Sequence, residues 1–117
     1  MGDVETAVNK VWKITSEWHG RPHVEVRYYR DPDTELPHTY DHGVMEREVE
    51  EVLRGPGEDL PAARTSRMKL GQTVAGRYLQ VIYVPDEEPD SVFVITAYDL
   101  NEKAKKAFRR RQRRKRR

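Results

Sequence analysis

Apolar residues recur along this chain with two different periods, which predict a mixture of helices and strands. Over residues 3–18, and again from Met45 to Leu53, they recur at the three- and four-residue spacing of an amphipathic helix. Around Val24 to Tyr28 they alternate with polar residues, which is the period of a half-buried strand. Three further strand-like runs follow, the last two apolar at both parities as in strands covered on both faces: Ser66–Thr73, Arg77–Val84 and Val92–Tyr98.

This order of elements predicts the α+β class. We expect an N-terminal helix, a strand, a short helix, a three-stranded antiparallel meander and a C-terminal helix with a basic tail. Residues 57–63 are predicted to be a loop, and Asn101 is a plausible cap for the last helix. Because Phe108 is the last apolar residue, the sequence predicts one domain over residues 1–108 and a disordered tail over residues 109–117.

Charge is distributed very unevenly along the 117 residues, although the formal net charge is only +2. Residues 103–117 hold 11 of the 22 bases and no acid, which leaves residues 1–102 with 11 bases and 20 acids. Such a basic segment neutralises phosphates and gains affinity from counterion release, so we expect it to contact RNA or the ribosome. The alternatives are incidental charge and intramolecular pairing with the acidic body. The predicted nucleic-acid-binding residues are Arg109, Arg110, Arg111, Arg113, Arg114, Lys115, Arg116 and Arg117.

Composition excludes several classes of protein and argues against others. No apolar run approaches the roughly 18–20 residues of a membrane-spanning helix, so no membrane partner is expected. The chain has no cysteine, which excludes disulfides, thiolate zinc sites and a cysteine nucleophile. The first residues lack the basic and apolar regions of a signal peptide, and we therefore expect a cytoplasmic protein.

Histidine, lysine, arginine and tyrosine provide the candidate catalytic groups. His42, just before a predicted helix, is a candidate general acid or base, with satisfaction of a backbone group as the structural alternative. Arg67 and Lys69 alternate with apolar positions of one strand and form a candidate anion-stabilising pair on its opposite face, with a solvated or salt-bridged strand face as the structural alternative. Pro37 and Gly43 argue against a helix that would pair His38 with His42, and no carboxylate at helical spacing completes a site, so no metal or cofactor is predicted.

Several short segments, in this order, resemble the BrnT-like toxins of the RelE/ParE toxin–antitoxin superfamily. The resemblance covers about residues 38–108. The segments are Tyr40-Asp41-His42-Gly43-Val44 with the acidic helix Glu46–Leu53 and Gly55-Pro56; Ser66-Arg67 with Leu70-Gly71-Gln72-Thr73; Gly76–Val84; Val92–Asp99; and Lys103–Phe108. Two positions depart from the family pattern, since Asp41 stands where a lysine is usual and Tyr98 where an arginine is usual.

The resemblance implies a RelE-like fold and a metal-independent endoribonuclease that cleaves mRNA and is neutralised by a cognate antitoxin. In such a reaction a ribose 2′-hydroxyl attacks the adjacent phosphate. The implied catalytic residues are His42 as acid or base, Arg67 and Lys69 as phosphate clamps, and Tyr98 as proton donor.

Two other functions are compatible with the sequence. A non-catalytic protein could bind nucleic acid or ribosomes through the basic tail, with the sheet as scaffold. An interaction module could instead use Trp12 and Trp18 of the N-terminal helix to form a homo-oligomer or to anchor a partner. Whether the chain is an enzyme therefore stays open on sequence grounds.

Overall fold

The computed structural model describes residues 25–86 and 91–115, which form a five-stranded sheet with two α-helices. The predicted N-terminal helix, including Trp12 and Trp18, lies outside the described residues, as do Arg116 and Arg117. The strands are β1 (Glu25–Tyr28), β2 (Gly57–Pro61), β3 (Arg67–Gln72), β4 (Tyr78–Pro85) and β5 (Ser91–Asp99); the helices are α1 (Glu46–Arg54) and α2 (Glu102–Lys115), and a 3₁₀ segment spans His38–His42.

The α+β class is confirmed, but the predicted three-stranded meander is wrong. The strand order is β1-β5-β4-β3-β2, in which β1 runs parallel to β5 and the other pairs are antiparallel. The three predicted strand-like runs lie within this sheet as β3, β4 and β5. The predicted loop over residues 57–63 is instead mostly strand β2, which pairs with β3 from Gly57 opposite Gly71 to Pro61 opposite Arg67.

Helix α1 covers one face of the sheet and forms the larger core with it. Val49, Val52 and Leu53 are buried at the i, i+3, i+4 spacing of a helix that packs on one side. They form one core cluster with Val44 and with apolar side chains on one face of β4 and β5: Leu79, Val81, Tyr83, Val92, Val94 and Ala97. At the start of α1, the Met45 amide donates to the Glu48 carboxylate at 3.0 Å, and this bond lowers the Glu48 pKa.

Helix α2 packs on the opposite face through a smaller cluster. Phe108 is buried against Leu70 and Leu100, and its ring meets that of Tyr78 edge-to-face with centroids 6.0 Å apart. Because Tyr78 is adjacent to Leu79 of the α1 core, side-chain alternation places the two helices on opposite faces. The predicted cap is confirmed, since Asn101 Oδ1 accepts from the Ala104 amide at 2.8 Å.

Residues 109–115, which the sequence predicts to be disordered, continue α2 as helix. One side chain of this segment holds it to the sheet. The Arg111 guanidinium donates two hydrogen bonds, at 2.6 and 2.8 Å, to the buried carboxylate of Glu58 on β2. The contact between α2 and the body is therefore made by a charged pair as well as by Phe108.

Replacement of Arg111 by methionine tests this anchor. The change leaves the Glu58 carboxylate buried without its guanidinium, and we expect a loss of about 1–2 kcal/mol of unfolding free energy in urea denaturation. Arg110→Met is the matched control, because Arg110 is exposed and the expected change is within about 0.5 kcal/mol. Equal stability of the two variants would contradict the anchoring role.

Candidate functional site

His42 and Tyr98 are brought together where the 3₁₀ segment packs against β5. The 3₁₀ segment lies against β5, and it ends at Gly43, whose φ of 69° is in the left-handed region that favours glycine. Four rings follow one another, with centroid separations of 6.2 Å from Tyr29 to His38, 5.4 Å from His38 to His42 and 5.6 Å from His42 to Tyr98. Two of the four predicted catalytic residues are therefore neighbours.

The Tyr98 hydroxyl is also held from the sheet. Gln80 of β4, directly opposite Tyr98 in the register, donates from Nε2 to the Tyr98 oxygen at 2.9 Å. Because this bond uses a lone pair of the hydroxyl, the Tyr98 proton stays available for donation to another group. The arrangement positions a proton donor beside the His42 imidazole.

Arg77 fixes the backbone that carries His42, a role that sequence analysis missed. Its guanidinium donates to the carbonyl of Gly43 at 2.8 Å and to that of His42 at 3.4 Å. It also pairs with Asp99 at 2.7 Å and with Glu48 at 3.2 Å, and hydrogen bonding to Asp99 is the main cause of its raised pKa. The partners come from three separated segments, so local sequence gives no signal for them.

Lys69 does not form the predicted phosphate clamp. Its side chain is buried on the α1 side of the sheet, where Nζ donates to the Gly55 carbonyl at 2.9 Å and to the Leu53 carbonyl at 3.4 Å. These are unsatisfied carbonyls at the end of α1, so Lys69 completes the helix C-terminus. Burial lowers the pKa of the ammonium group.

Arg67 is likewise turned inward, contrary to the predicted clamp. Its Nε donates to Asp59 Oδ1 at 2.9 Å, and both side chains are only 12% exposed. The other oxygen of Asp59 accepts from the Tyr83 hydroxyl at 2.6 Å, and burial raises the pKa of Tyr83. Arg67 therefore belongs to an internal hydrogen-bond network that links β2, β3 and β4.

The predicted four-residue catalytic centre is therefore not assembled. Tyr98 neighbours Ala97, whose side chain lies in the α1 core, so the Tyr98 side chain leaves the sheet on the other face from Lys69. Strand β4 also separates β3 from β5, which places their backbones about 10 Å apart. His42 and Tyr98 form one site, and the two cations of β3 serve the core.

The buried ammonium of Lys69 predicts a specific pH dependence of stability. A basic group whose pKa is lower in the folded state than in the unfolded state decreases the unfolding free energy. The full decrease applies at pH values below the folded-state pKa. The penalty fades as pH rises toward the ordinary lysine value of about 10.4, because the folded protein releases its proton first.

We therefore expect the unfolding free energy of the wild type to rise relative to that of Lys69→Met between neutral pH and about pH 10. Urea denaturation at a series of pH values measures this difference. Groups present in both proteins, such as the buried tyrosines, cancel in the comparison. A difference that does not change with pH would contradict the burial of a charged ammonium.

One group of side chains in the described part of the chain has the composition and spacing of metal ligands. One ligand atom each of Asp31, His38 and Asp41 lies within 4.8 Å of the others. His38 Nδ1 is 2.9 Å from Asp31 Oδ1 and 3.3 Å from Asp41 Oδ2, and hydrogen bonding to His38 lowers the pKa of Asp31. The two carboxylates also hold the imidazole in place, so the group fixes the ring next to His42.

The outer side of α2 carries a row of exposed bases. Their spacing places them on one side of the helix, away from Phe108. None forms a salt bridge with any residue among 25–86 and 91–115. We refer to these residues as the α2 stripe: Lys103, Lys106, Arg110, Arg113 and Arg114.

Comparisons with protein-family models, with curated proteins and with solved structures found no significant match to this chain. Neither described helix has the length and apolar character needed to cross a membrane.

Proposed function

We propose that this protein binds the phosphate backbone of RNA through the α2 stripe. The observation that carries the proposal is the alignment of five exposed bases on a helix that is anchored to a folded body. The stripe extends over roughly 16 Å, since each helical residue rises about 1.5 Å. A row of fixed guanidinium and ammonium groups neutralises successive phosphates and releases their counterions.

The packing of α2 favours RNA over a lipid surface as the anionic partner. A membrane-surface helix requires an apolar face that enters the interface. In α2 the apolar side, with Ala104 and Phe108, is packed against the sheet. The outer side has no aromatic residue for stacking, so we expect binding by the stripe to be tolerant of sequence.

The test is RNA binding by a variant in which Lys106, Arg110 and Arg113 are replaced by glutamine. Loss of three phosphate contacts should weaken affinity on the order of 30-fold near physiological salt, and lower the slope of log affinity against log salt by about 2. Fluorescence anisotropy with a labelled RNA over a salt series measures both quantities.

The matched control replaces three exposed arginines outside α2, which are Arg30, Arg47 and Arg64, by glutamine. It changes net charge by the same amount and should keep most of the affinity and the salt slope. An equal loss in both variants would show that bulk charge, rather than the stripe, governs binding.

A second candidate function is metal-independent RNA cleavage at His42 and Tyr98, as expected of a BrnT-like toxin with a cognate antitoxin. The contact that favours it is the 5.6 Å separation of the two rings, with the Tyr98 proton available for donation. Tyr98 lies on the α2 face of the sheet. We propose that bases of α2 supply the phosphate contacts that Arg67 and Lys69 do not. Incubation of a long RNA with the purified protein in EDTA tests for this activity.

A further inference from the structure

A cavity of about 370 Å³ lies between the second half of α2 and the β3–β4 hairpin. From the helix it is lined by Phe108, Arg109, Gln112 and Arg113, and the hairpin side includes Tyr78. A volume of this size suits a small ligand rather than a macromolecular surface.

The charged residues that line the cavity are all basic. Arg109 and Arg113 are one helical turn apart and both are exposed, while no acidic residue lines the cavity in a chain that has 20 acids. Neither arginine has a salt-bridge partner in the portion of the chain that is described. Two neighbouring guanidinium groups match the oxygen geometry of a phosphate.

The rest of the lining suits a flat group with polar edges. Tyr78 and Phe108 supply an apolar wall. Gln72 and Thr73 supply polar groups from the hairpin, and Gln112 supplies an amide whose nitrogen is buried with no hydrogen-bond partner among the described residues. A buried amide without a partner favours binding of a group that accepts its hydrogen bond.

We propose that this cavity receives one unpaired nucleotide of RNA bound on the α2 stripe, an inference that rests on the proposed function. The phosphate of that nucleotide lies between Arg109 and Arg113, and its base lies against Tyr78 with the Gln112 amide at its edge. A base in a duplex is stacked and paired, and it cannot enter. The protein therefore distinguishes single-stranded from double-stranded RNA.

The experiment compares a single-stranded RNA with a duplex RNA that has the same number of phosphates. We expect the wild type to prefer the single strand by about tenfold, as is typical when one base is held against an aromatic residue. Since the chain has no cysteine, Gln112→Cys introduces one thiol that reacts with N-ethylmaleimide, which attaches a neutral ring at the position of the Gln112 amide.

The unreacted Gln112→Cys protein and a Val74→Cys protein reacted in the same way are the controls, because Val74 is 88% exposed at the tip of the hairpin. We expect the reacted Gln112→Cys protein to lose the single-strand preference while its affinity for duplex is unchanged. Equal affinity of the wild type for both RNAs, or a preference that survives the reaction, would overturn the inference alone. Failure of the wild type to bind either RNA would overturn the proposed function as well.

Discussion

Replacement of Gly57 by alanine is expected to lower the unfolding free energy by about 3–5 kcal/mol, within the range of severe point mutations. A β-carbon at Gly57 would lie 2.1 Å from the carbonyl oxygen of Leu70 and 3.2 Å from its carbonyl carbon. Both atoms belong to the backbone of β3, so relief requires separation of β2 from β3. That separation would also displace Glu58, the residue that anchors α2.

Gly76→Ala is the matched control for this prediction. Gly76 has a φ of +100°, which strains any other residue, but the nearest atom to an added β-carbon is 3.6 Å away at the end of the Gln72 side chain. We expect a loss of about 1 kcal/mol there, from backbone strain alone. Urea denaturation of both variants separates the two effects. Equal losses of unfolding free energy would show that β2 accommodates the added β-carbon without a steric penalty.

Replacement of His42 by alanine is expected to reduce RNA cleavage by about 10²–10⁴-fold if the chain is the proposed ribonuclease, because this is the usual contribution of a general acid or base. The His42 side chain is exposed, and the described hydrogen bonds at this residue use its backbone carbonyl. The fold and the affinity for RNA should therefore be retained. Cleavage of a long RNA in EDTA, followed over time, measures the effect.

The neighbouring imidazole supplies the control. His38→Gln removes a ring 5.4 Å from His42 and leaves His42 and Tyr98 in place, so cleavage in EDTA should persist. Activity that requires a divalent cation and is lost in His38→Gln would contradict the metal-free reaction. Such a result would assign the chemistry to the Asp31, His38 and Asp41 group.

The elements that the sequence predicts correctly are those in which burial of one face sets the spacing of the apolar residues. The spacing of Val49, Val52 and Leu53 predicts a helix on this segment, and the structure has α1 there. Strand β2 was missed because its five residues include Gly57 and Pro61, which are typical of loops. Its pairing with β3 is a tertiary contact that composition does not indicate.

The candidate site shows the same limit. Alternation along β3 predicts Met68 and Leu70 on one face and Arg67 and Lys69 on the other. In the structure Leu70 belongs to the apolar cluster around Phe108 of α2, and Met68 packs against that cluster. The predicted clamp requires the second face to meet solvent, whereas the structure has Arg67 in the salt-bridged alternative, paired with Asp59. Because α1 covers that face, Lys69 is buried there. The alternation of side chains along a strand does not by itself show whether a helix covers the face that carries the polar residues.

The parallel pairing of β1 with β5 has a consequence for the order in which this protein is built. Glu25 pairs with Ser91 and Tyr28 with Val94, so β1 can pair only after residues 91–94 have been synthesised. Strands β2 to β5 are joined by antiparallel pairings between neighbours in sequence, which close quickly because their loops are short. We therefore expect strands β2, β3 and β4 to pair as they emerge, and β1 to join the sheet only after β5 is present.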